Sequence, residues 1–344
     1  MRSVKAAAAV LAFSIGTPAA AQDEAGFQAF LLQVRQQALV QAVTARTLDA
    51  VLPTLTFNPR VVELDRAQPG GNPNAPPSSI PAFAPYRLQH VDAARISRGR
   101  AKYQALRPLL SRVEAQTGVP EAIMVAIWGH ETNYGAYTGN FDLPRSLASL
   151  AYDGRRRDLF TQELIDTFKM IDRGVPREKL KGSWAGATGY PQFLPSVYLR
   201  LARDGDGDGK ADIWSSDADA LASIANYFVN AGWRPGRPWG VAASAPPYLD
   251  RTAITGKVTS PRCPRVYDRH SRWMTVAEWR ARGVVQTGGQ PLRDTELVTL
   301  LEPDGPSAPA YLLTGNYRVI LDYNCSNFYA LSVGLLADAV AQPS

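Results

Sequence analysis

The chain has 344 residues, of which 45% are hydrophobic and 20% are charged, and this composition excludes a wholly disordered protein. The formal charge of +6 favours an acidic partner, but neither an arginine-rich stripe nor an aromatic RNA-binding motif accompanies it, so nucleic-acid binding is not expected. With three histidines and two cysteines, a transition-metal site is not expected either. A hard cation bound by oxygen ligands stays open.

The first residues predict a secretory signal peptide. Arg2 and Lys5 precede a short apolar run at 6–15, and three small residues follow at 19–21. Cleavage after Ala21 would remove two positive charges and lower the formal charge to +4. The run is too short to span a bilayer, and no later segment is apolar for long enough, so we expect a soluble periplasmic protein. The alternative, a buried or amphipathic helix, lacks a polar face.

Apolar spacing along the chain predicts a mainly helical protein. Two short helices are expected within 26–53, followed by a connection rich in Pro, Gly, Asn and Ser at 67–85. The pattern is helical again from 93 to 240. Between 246 and 322, β-branched runs and frequent Gly and Pro indicate strands, and 310–323 is interpreted as two strands around Thr314-Gly315-Asn316. The last stretch, 326–341, is again helical.

These elements predict an α+β fold that is mainly α. We expect a signal peptide at 1–21, an N-terminal helical region and linker at 22–92, a helical core at 93–245, a small β-containing subdomain at 246–322, and a C-terminal helix at 323–344 that returns to the core. In an oxidising compartment Cys263 and Cys325 can pair and join the β subdomain to the start of the last helix. Two unpaired thiols are the alternative.

Glu131 lies near the end of a helix predicted over 120–134, which Pro120 opens and Asn133 with Gly135 closes. Three large apolar residues share its helix face, Met124, Ile127 and Trp128. Burial among them and the negative end of the helix dipole would both raise the pKa of the carboxyl group. An acid that is neutral near pH 7 can protonate a glycosidic oxygen. From this pattern alone, a solvated glutamate that turns outward is the simpler interpretation.

Motifs in a fixed order run through most of the mature chain. They include GHETNYG at 129–135 and GSWAGATGYPQFLPS at 182–196, with further segments at 58–65, 147–152, 204–209, 224–228, 232–233 and 323–324. Together these motifs resemble the lytic murein transglycosylase B family. The resemblance implies a lysozyme-like helical core that acts on the glycan strands of peptidoglycan and needs no organic cofactor.

In this resemblance Glu131 occupies the position of the family's single catalytic glutamate. It would protonate the oxygen between N-acetylmuramic acid and N-acetylglucosamine, then accept the proton of the muramoyl 6-hydroxyl as a 1,6-anhydro ring closes. The 2-acetamido group of the substrate would assist. A hydrolase would need a second positioned carboxylate, and the nearby Asp142 and Asp153 match no motif.

The resemblance also implies a set of substrate-binding residues: Ser183, Gln192, Tyr227, Tyr323 and Asn324. Hydroxyl and amide groups suit sugar substituents, and tyrosine faces suit sugar rings. Asn324 would face the acetamido group. The arginines at 155–157 would meet acidic stem peptides or form a solvated helix start.

An aspartate-rich loop at 204–219 predicts a structural Ca²⁺ site. Gly209 stands at the turn position of such a loop, but Ser215 replaces the usual closing glutamate. Comparison with the family places the closing acid at Asp219, with Asp217 as the competing choice. The expected ligands are Asp204, Asp206, Asp208, the Lys210 carbonyl group and Asp219. A merely polar, glycine-rich turn is the alternative.

Two other functions stay open at this point. One is a hydrolytic muramidase, whose products would lack anhydro ends. The other is a catalytically silent peptidoglycan-binding scaffold that organises other cell-wall enzymes, which are candidate partners in either case. The presence of Glu131 together with Ser183, Gln192 and Asn324 favours the active transglycosylase.

Overall fold

The computed structural model of the protein describes residues 19–68, 82–256, 263 and 266–342. The charged and apolar parts of the predicted signal peptide lie outside these residues, as does most of the predicted linker at 67–85. Within the described ranges, none of the helices combines the length and the hydropathy needed to cross a membrane.

The N-terminal region consists of α1 (Ala19–Val40), α2 (Ala45–Val51) and α3 (Pro59–Arg66). The prediction of two helices within 26–53 is confirmed, although α1 begins earlier than expected. The side chain of Thr44 caps α2 by accepting a hydrogen bond from the Thr47 amide. Phe27 and Val34 are fully buried, because this face of α1 packs against the helical core.

The helical core follows in chain order: α4 (Phe83–His90), α5 (Ala93–Ala105), α6 (Arg107–Thr117), α7 (Glu121–Thr132), α8 (Leu143–Asp153), α9 (Arg157–Asp172), α10 (Pro195–Leu201) and α11 (Asp217–Asn230). Two short strands, β1 (Phe141–Asp142) and β2 (Lys181–Gly182), pair antiparallel within it. One apolar cluster surrounds α7, and a second joins α8 and α9 to α1 and α2. The helix that carries Glu131 is therefore the buried centre of the core.

A five-stranded antiparallel sheet forms the predicted β-containing unit. Its strands are β3 (Gly240–Ser244), β4 (Met274–Thr275), β5 (Val285–Gln286), β6 (Leu297–Leu301) and β7 (Ala310–Leu313), in the order β4-β6-β7-β3-β5. The first strand starts at Gly240, ahead of the expected boundary at 246. A short helix, α12 (Val276–Ala281), follows β4, and its Trp279 is fully buried in a third apolar cluster.

The prediction of a second strand after Thr314 is wrong, because α13 (Gly315–Tyr323) is a helix. The side chain of Thr314 accepts a hydrogen bond from the Asn316 amide and so caps the helix. The buried residues of α13 include the consecutive Val319, Ile320 and Leu321, a spacing that does not follow the strict alternation of a half-buried strand.

The chain returns to the core through α14 (Asn327–Ala341), which confirms the helix predicted over 326–341. Its N-terminus is capped by the side chain of Ser326. A disulfide joins Cys263 to Cys325 with the Cα atoms 5.4 Å apart, so the expected pairing is confirmed. This bond ties the segment after β3 to the turn between α13 and α14.

Candidate active site

Glu131 lies in the last turn of α7, which ends at Thr132 instead of continuing to residue 134. Asn133 stops the helix in a left-handed conformation with φ of 51°. The residues that precede Glu131 on this helix are buried on every side, since α5, α11 and α14 all pack against α7. A helix of this kind holds its terminal side chain in a fixed position.

The carboxyl group of Glu131 does not turn outward. Its Oε1 atom accepts a hydrogen bond of 2.6 Å from the hydroxyl group of Tyr329 on α14. Burial raises the pKa of Glu131 to about 7, and the tyrosine hydrogen bond opposes part of that rise. Near neutral pH the side chain can therefore serve first as an acid and then as a base.

Tyr329 is a residue that the sequence interpretation missed. It lies in the first turn of α14, and its ring is buried and parallel to that of Tyr323, with centroids 6.5 Å apart. The available signal was a tyrosine within a long apolar helix, because a buried tyrosine hydroxyl group needs a hydrogen-bond partner. Nothing in its position along the chain identifies Glu131 as that partner.

An aromatic stack adjoins the same end of α7 and was also missed. The ring of His130 lies 4.4 Å from that of Tyr329 and 5.0 Å from that of His90, which in turn stacks on Tyr86 at 3.8 Å. Burial, together with the charge of His90, lowers the pKa of His130 to about 3. The neighbour of Glu131 is thus neutral at physiological pH and adds no charge to the site.

Ser183 and Gln192 lie in the loop that follows β2. The Ser183 hydroxyl group accepts a hydrogen bond of 3.0 Å from the Ala187 amide. The side-chain amide of Gln192 donates to the carbonyl groups of Thr138 and Gly189 at 3.1 and 2.9 Å. Gln192 therefore joins its own loop to the loop that follows α7, in an arrangement that shapes the surface beside Glu131.

Tyr227, Tyr323 and Asn324 come from two helices that meet near Glu131. The rings of Tyr227 and Tyr323 lie 4.7 Å apart. Their hydroxyl groups donate to the carbonyl groups of Asp322 and Pro191 at 2.6 and 2.5 Å. Asn324 is exposed at the end of α13. Among the described residues, Tyr329 is the one whose hydrogen bond to the Glu131 carboxylate is observed. Of the five predicted substrate-binding residues, Tyr323 is close enough for the charge of Glu131 to act on its hydroxyl group.

Asp142 and Asp153, the two carboxylates considered above as a second catalytic group, have structural partners. Asp142 caps α8 by accepting from the Arg145 amide, and it pairs with Arg177 at 2.6 Å. Asp153 pairs with Arg66. Neither of them supplies a second catalytic carboxylate next to Glu131.

The arginine run at 155–157 has a structural role in the described fold. Arg155 and Arg156 both pair with Asp65, whose side chain is 1% exposed. Their hydrogen bonds keep the pKa of Asp65 below its usual value although burial acts in the opposite direction. The arrangement fastens α3 to the start of α9, so both arginines pair with a carboxylate within the fold.

In the aspartate loop, ligand atoms of Asp204, Asp206 and Asp219 lie within 4.8 Å of one another. Asp219 is fully buried at the start of α11, where it accepts hydrogen bonds from the amides of Gly205 and Asp212. The competing Asp217 instead pairs with Lys102 at 3.0 Å. Three clustered carboxylates form a donor set that suits a hard cation such as Ca²⁺.

Asp208 is placed differently from the other predicted ligands. Its carboxylate accepts a hydrogen bond from the Lys210 amide at 2.8 Å, and Asp208 is not part of the three-carboxylate cluster. The structure thus assembles the first, third and closing acids of the predicted loop, while the ligand roles of Asp208 and of the Lys210 carbonyl group stay predictions.

A helical core with a half-buried glutamate at the end of its central helix is typical of lysozyme-like enzymes that act on glycan strands. The family model described as "Transglycosylase SLT domain" matches residues 26–338, and the chain belongs to this family. The protein is therefore a lytic transglycosylase acting on peptidoglycan, which confirms the family, the fold class and the enzyme class that the motifs predicted.

Three relatives support this assignment. The chain is 30% identical to membrane-bound lytic murein transglycosylase B of Escherichia coli over 311 residues, which cover 89% of this chain and 78% of the relative. SltB3 of Pseudomonas aeruginosa, solved in complex with NAG-anhNAM-pentapeptide, is 38% identical with a TM-score of 0.80, over 91% of this chain and 79% of its own. Slt35 of E. coli, solved in complex with calcium, is 29% identical with a TM-score of 0.72, over 92% and 93%.

Proposed function

We propose that Glu131 is the single general acid and base of a non-hydrolytic cleavage. The protonated carboxyl group gives its proton to the oxygen between N-acetylmuramic acid and N-acetylglucosamine, and the C1–O bond breaks. The carboxylate then accepts the proton of the muramoyl 6-hydroxyl group while O6 bonds to C1 and closes the 1,6-anhydro ring. No water is consumed, and Glu131 regains its proton for the next cycle.

The observation that carries this proposal is the environment of the Glu131 carboxyl group. The residue is half-buried, burial raises its pKa to about 7, and one tyrosine hydroxyl group donates a hydrogen bond to it. A carboxylic acid with this pKa is present in both protonation states near neutrality, as a group with two roles requires. The anhydro-sugar product bound to the SltB3 relative agrees with the same chemistry.

Digestion of purified sacculi tests the proposal. The wild-type protein should release muropeptides with anhydro ends, and Glu131→Gln should lower the rate by about 100-fold or more, since general acid–base catalysis contributes about 10²–10⁴-fold. The exposed Glu178 provides a matched control, because Glu178→Gln makes the same change away from the site. Hydrated reducing ends would contradict the lyase reaction, and full activity of Glu131→Gln would contradict its role.

We further propose that the predicted substrate-binding residues line the path of the glycan strand. Tyr323 and Tyr227 place aromatic rings beside Glu131, while Ser183 and Gln192 hold the neighbouring loop. Asn324 is exposed next to Tyr323 and can face the acetamido group. The Tyr323 ring supports this arrangement most directly: burial raises the pKa of its hydroxyl group, and the nearby charge of Glu131 raises it further.

We propose that the aspartate loop holds a structural Ca²⁺ ion. Asp204, Asp206 and Asp219 would supply carboxylate oxygens, with Asp208 and the Lys210 carbonyl group as the remaining predicted ligands. The ion would neutralise part of the negative charge that gathers between α10 and α11. The calcium complex of the Slt35 relative supports this assignment.

We also propose that the protein is exported to the periplasm, where peptidoglycan lies. The pattern of charged, apolar and small residues over 1–21 supports export by a signal peptide. The disulfide between Cys263 and Cys325 is consistent with an oxidising compartment.

A further inference from the structure

A pocket with a volume of about 450 Å³ lies beside α13, and Glu131 is not among the residues that line it. Its charged lining consists of three arginines and one aspartate, Arg234, Arg237, Arg318 and Asp322. Its apolar lining includes Trp273, Leu297 and Val319. We call it the arginine pocket. A concave surface that combines positive charge with apolar walls is suited to an anionic ligand that also carries apolar groups.

Buried hydrogen bonds hold the loop that carries two of the arginines. Asn316 is fully buried, and its side chain donates to the carbonyl groups of Arg234 and Arg237 at 2.9 and 2.6 Å. The same side chain accepts from the Arg234 amide at 2.9 Å. The backbone at both arginines is therefore fixed before any ligand arrives, as a built binding site requires.

Arg318 contributes a positive charge that the described residues compensate incompletely. Its guanidinium group lies between the rings of Tyr267 and Trp273, at 4.8 and 4.6 Å from their centroids. Its Nε and Nη2 atoms are buried, and neither has a hydrogen-bond acceptor among the described residues. Burial consequently lowers the pKa of Arg318, with Asp322 opposing the effect. A negative charge in the pocket would stabilise this group.

The remaining arginines differ in their pairing. Arg237 forms an ion pair with Glu296 at 3.0 Å, whereas no side-chain partner of Arg234 is observed within the described part of the chain. Arg234 is exposed at the edge of the pocket. Among the described residues, Arg237 is therefore the one arginine of the pocket with an observed ion pair.

The pocket and the proposed glycan path share one helix. Asp322 lines the pocket, and its carbonyl group accepts the hydrogen bond of Tyr227. At 1.5 Å per residue, the nine residues of α13 separate its two ends by about 12 Å. An extended five-residue peptide spans about 17 Å. A peptide attached to a sugar near Tyr323 can therefore reach the arginines at the other end of α13.

We propose that the arginine pocket binds a carboxylate of the peptide stem that muramic acid carries on the glycan strand. This assignment rests on the proposed function, because it requires the strand to lie along Glu131 and Tyr323. The pocket makes the enzyme selective for strands that still carry peptides. The alanine methyl groups of a stem suit the apolar wall formed by Trp273 and Leu297.

Two substrates test stem binding by the arginine pocket separately from the catalytic role of Glu131. One consists of glycan strands with peptide stems, and the other of the same strands after an amidase has removed the peptides. We expect the wild-type protein to have about a tenfold higher kcat/KM on peptide-bearing strands, which corresponds to one hydrogen bond between charged groups. Arg234→Glu should abolish this preference and leave the rate on stripped strands unchanged. Arg234→Lys, which keeps the charge, should retain most of it.

Arg46→Glu is the matched control, since Arg46 is exposed on α2 and the substitution makes the same change in net charge. If Arg46→Glu retains the preference and Arg234→Glu loses it, the result supports the arginine pocket as the site that binds the peptide stem. Equal rates of the wild-type protein on both substrates would overturn it, as would an unchanged preference in Arg234→Glu. A wild-type protein inactive on both would overturn the proposed function and this assignment with it.

Discussion

Tyr329 and the burial of Glu131 act in opposite directions on one carboxyl group. Burial favours the neutral acid, whereas the hydroxyl donor favours the carboxylate. The balance places the pKa at about 7, between the values that either influence alone would give. A single side chain can then lose and regain a proton in one catalytic cycle without a second carboxylate.

Replacing Tyr329 with Phe should raise the pKa of Glu131, because the variant retains the burial and loses the donor. The acid form is required first, so the activity of the wild-type protein falls as pH rises through about 7, and in Tyr329→Phe this fall should occur at higher pH. We also expect kcat to drop about tenfold, since the carboxylate loses a hydrogen bond to a charged group. The pH dependence of kcat/KM measures both effects.

Tyr317→Phe is the control for this measurement. Tyr317 is a buried tyrosine whose hydroxyl group donates to the Asn327 carbonyl group at 3.0 Å. Its replacement should lower stability without moving the pH profile. An identical profile for Tyr329→Phe and the wild-type protein would show that the hydrogen bond does not control Glu131.

Elements with local start and stop signals could be predicted from the sequence, as α7 illustrates. Pro120 precedes this helix, Asn133 ends it, and the apolar residues between them are typical of a buried helix. The prediction of a strand after Thr314 is wrong because Gly315-Asn316 between two apolar runs is typical of a hairpin. The segment is a helix because Thr314 caps it and because its apolar residues are buried against the core, and that burial depends on the tertiary structure.

The same distinction applies to the site. Glu131 and the aspartates could be found because their motifs are contiguous, and the choice between Asp217 and Asp219 could not be made from spacing alone. The pairing of Asp217 with Lys102 on α5 favours Asp219, which lies in the carboxylate cluster. Tyr329 was missed because only the packing of α14 on α7 brings it to Glu131.

The aspartate loop gives a prediction at the level of α10, α11 and the turn between them. Removal of Ca²⁺ with EDTA should lower the melting temperature of the wild-type protein, because the carboxylates of Asp204, Asp206 and Asp219 then repel one another. Asp219→Asn should abolish the difference between samples with and without EDTA. Thermal unfolding followed by circular dichroism measures it.

Asp217→Asn serves as the control for the calcium experiment, since it removes one carboxylate of the same helix that pairs with Lys102. This variant should keep the full response to EDTA. A melting temperature that EDTA leaves unchanged in the wild-type protein would argue against a calcium site. Loss of the response in Asp217→Asn alone would reverse the choice of the closing acid.

At the scale of the whole molecule, the disulfide joins parts of the chain that are 62 positions apart. Closing a loop of this length stabilises the folded protein by about 4 kcal/mol in the chain-entropy model. Reduction should therefore lower the free energy of unfolding by about that amount, as measured by urea denaturation with and without a reductant. The double variant Cys263→Ala/Cys325→Ala should be insensitive to the reductant, and an equal stability of the oxidised and reduced wild-type protein would refute the prediction.

The hydrogen bond between Glu131 and Tyr329 joins residues that are 198 positions apart. During synthesis the acid is made first, and its partner arrives only with the last helix. A chain that is interrupted in between carries the glutamate in an unfinished site. For an enzyme that cuts the polymer enclosing the cell, completion of the chain is thus itself a condition for activity.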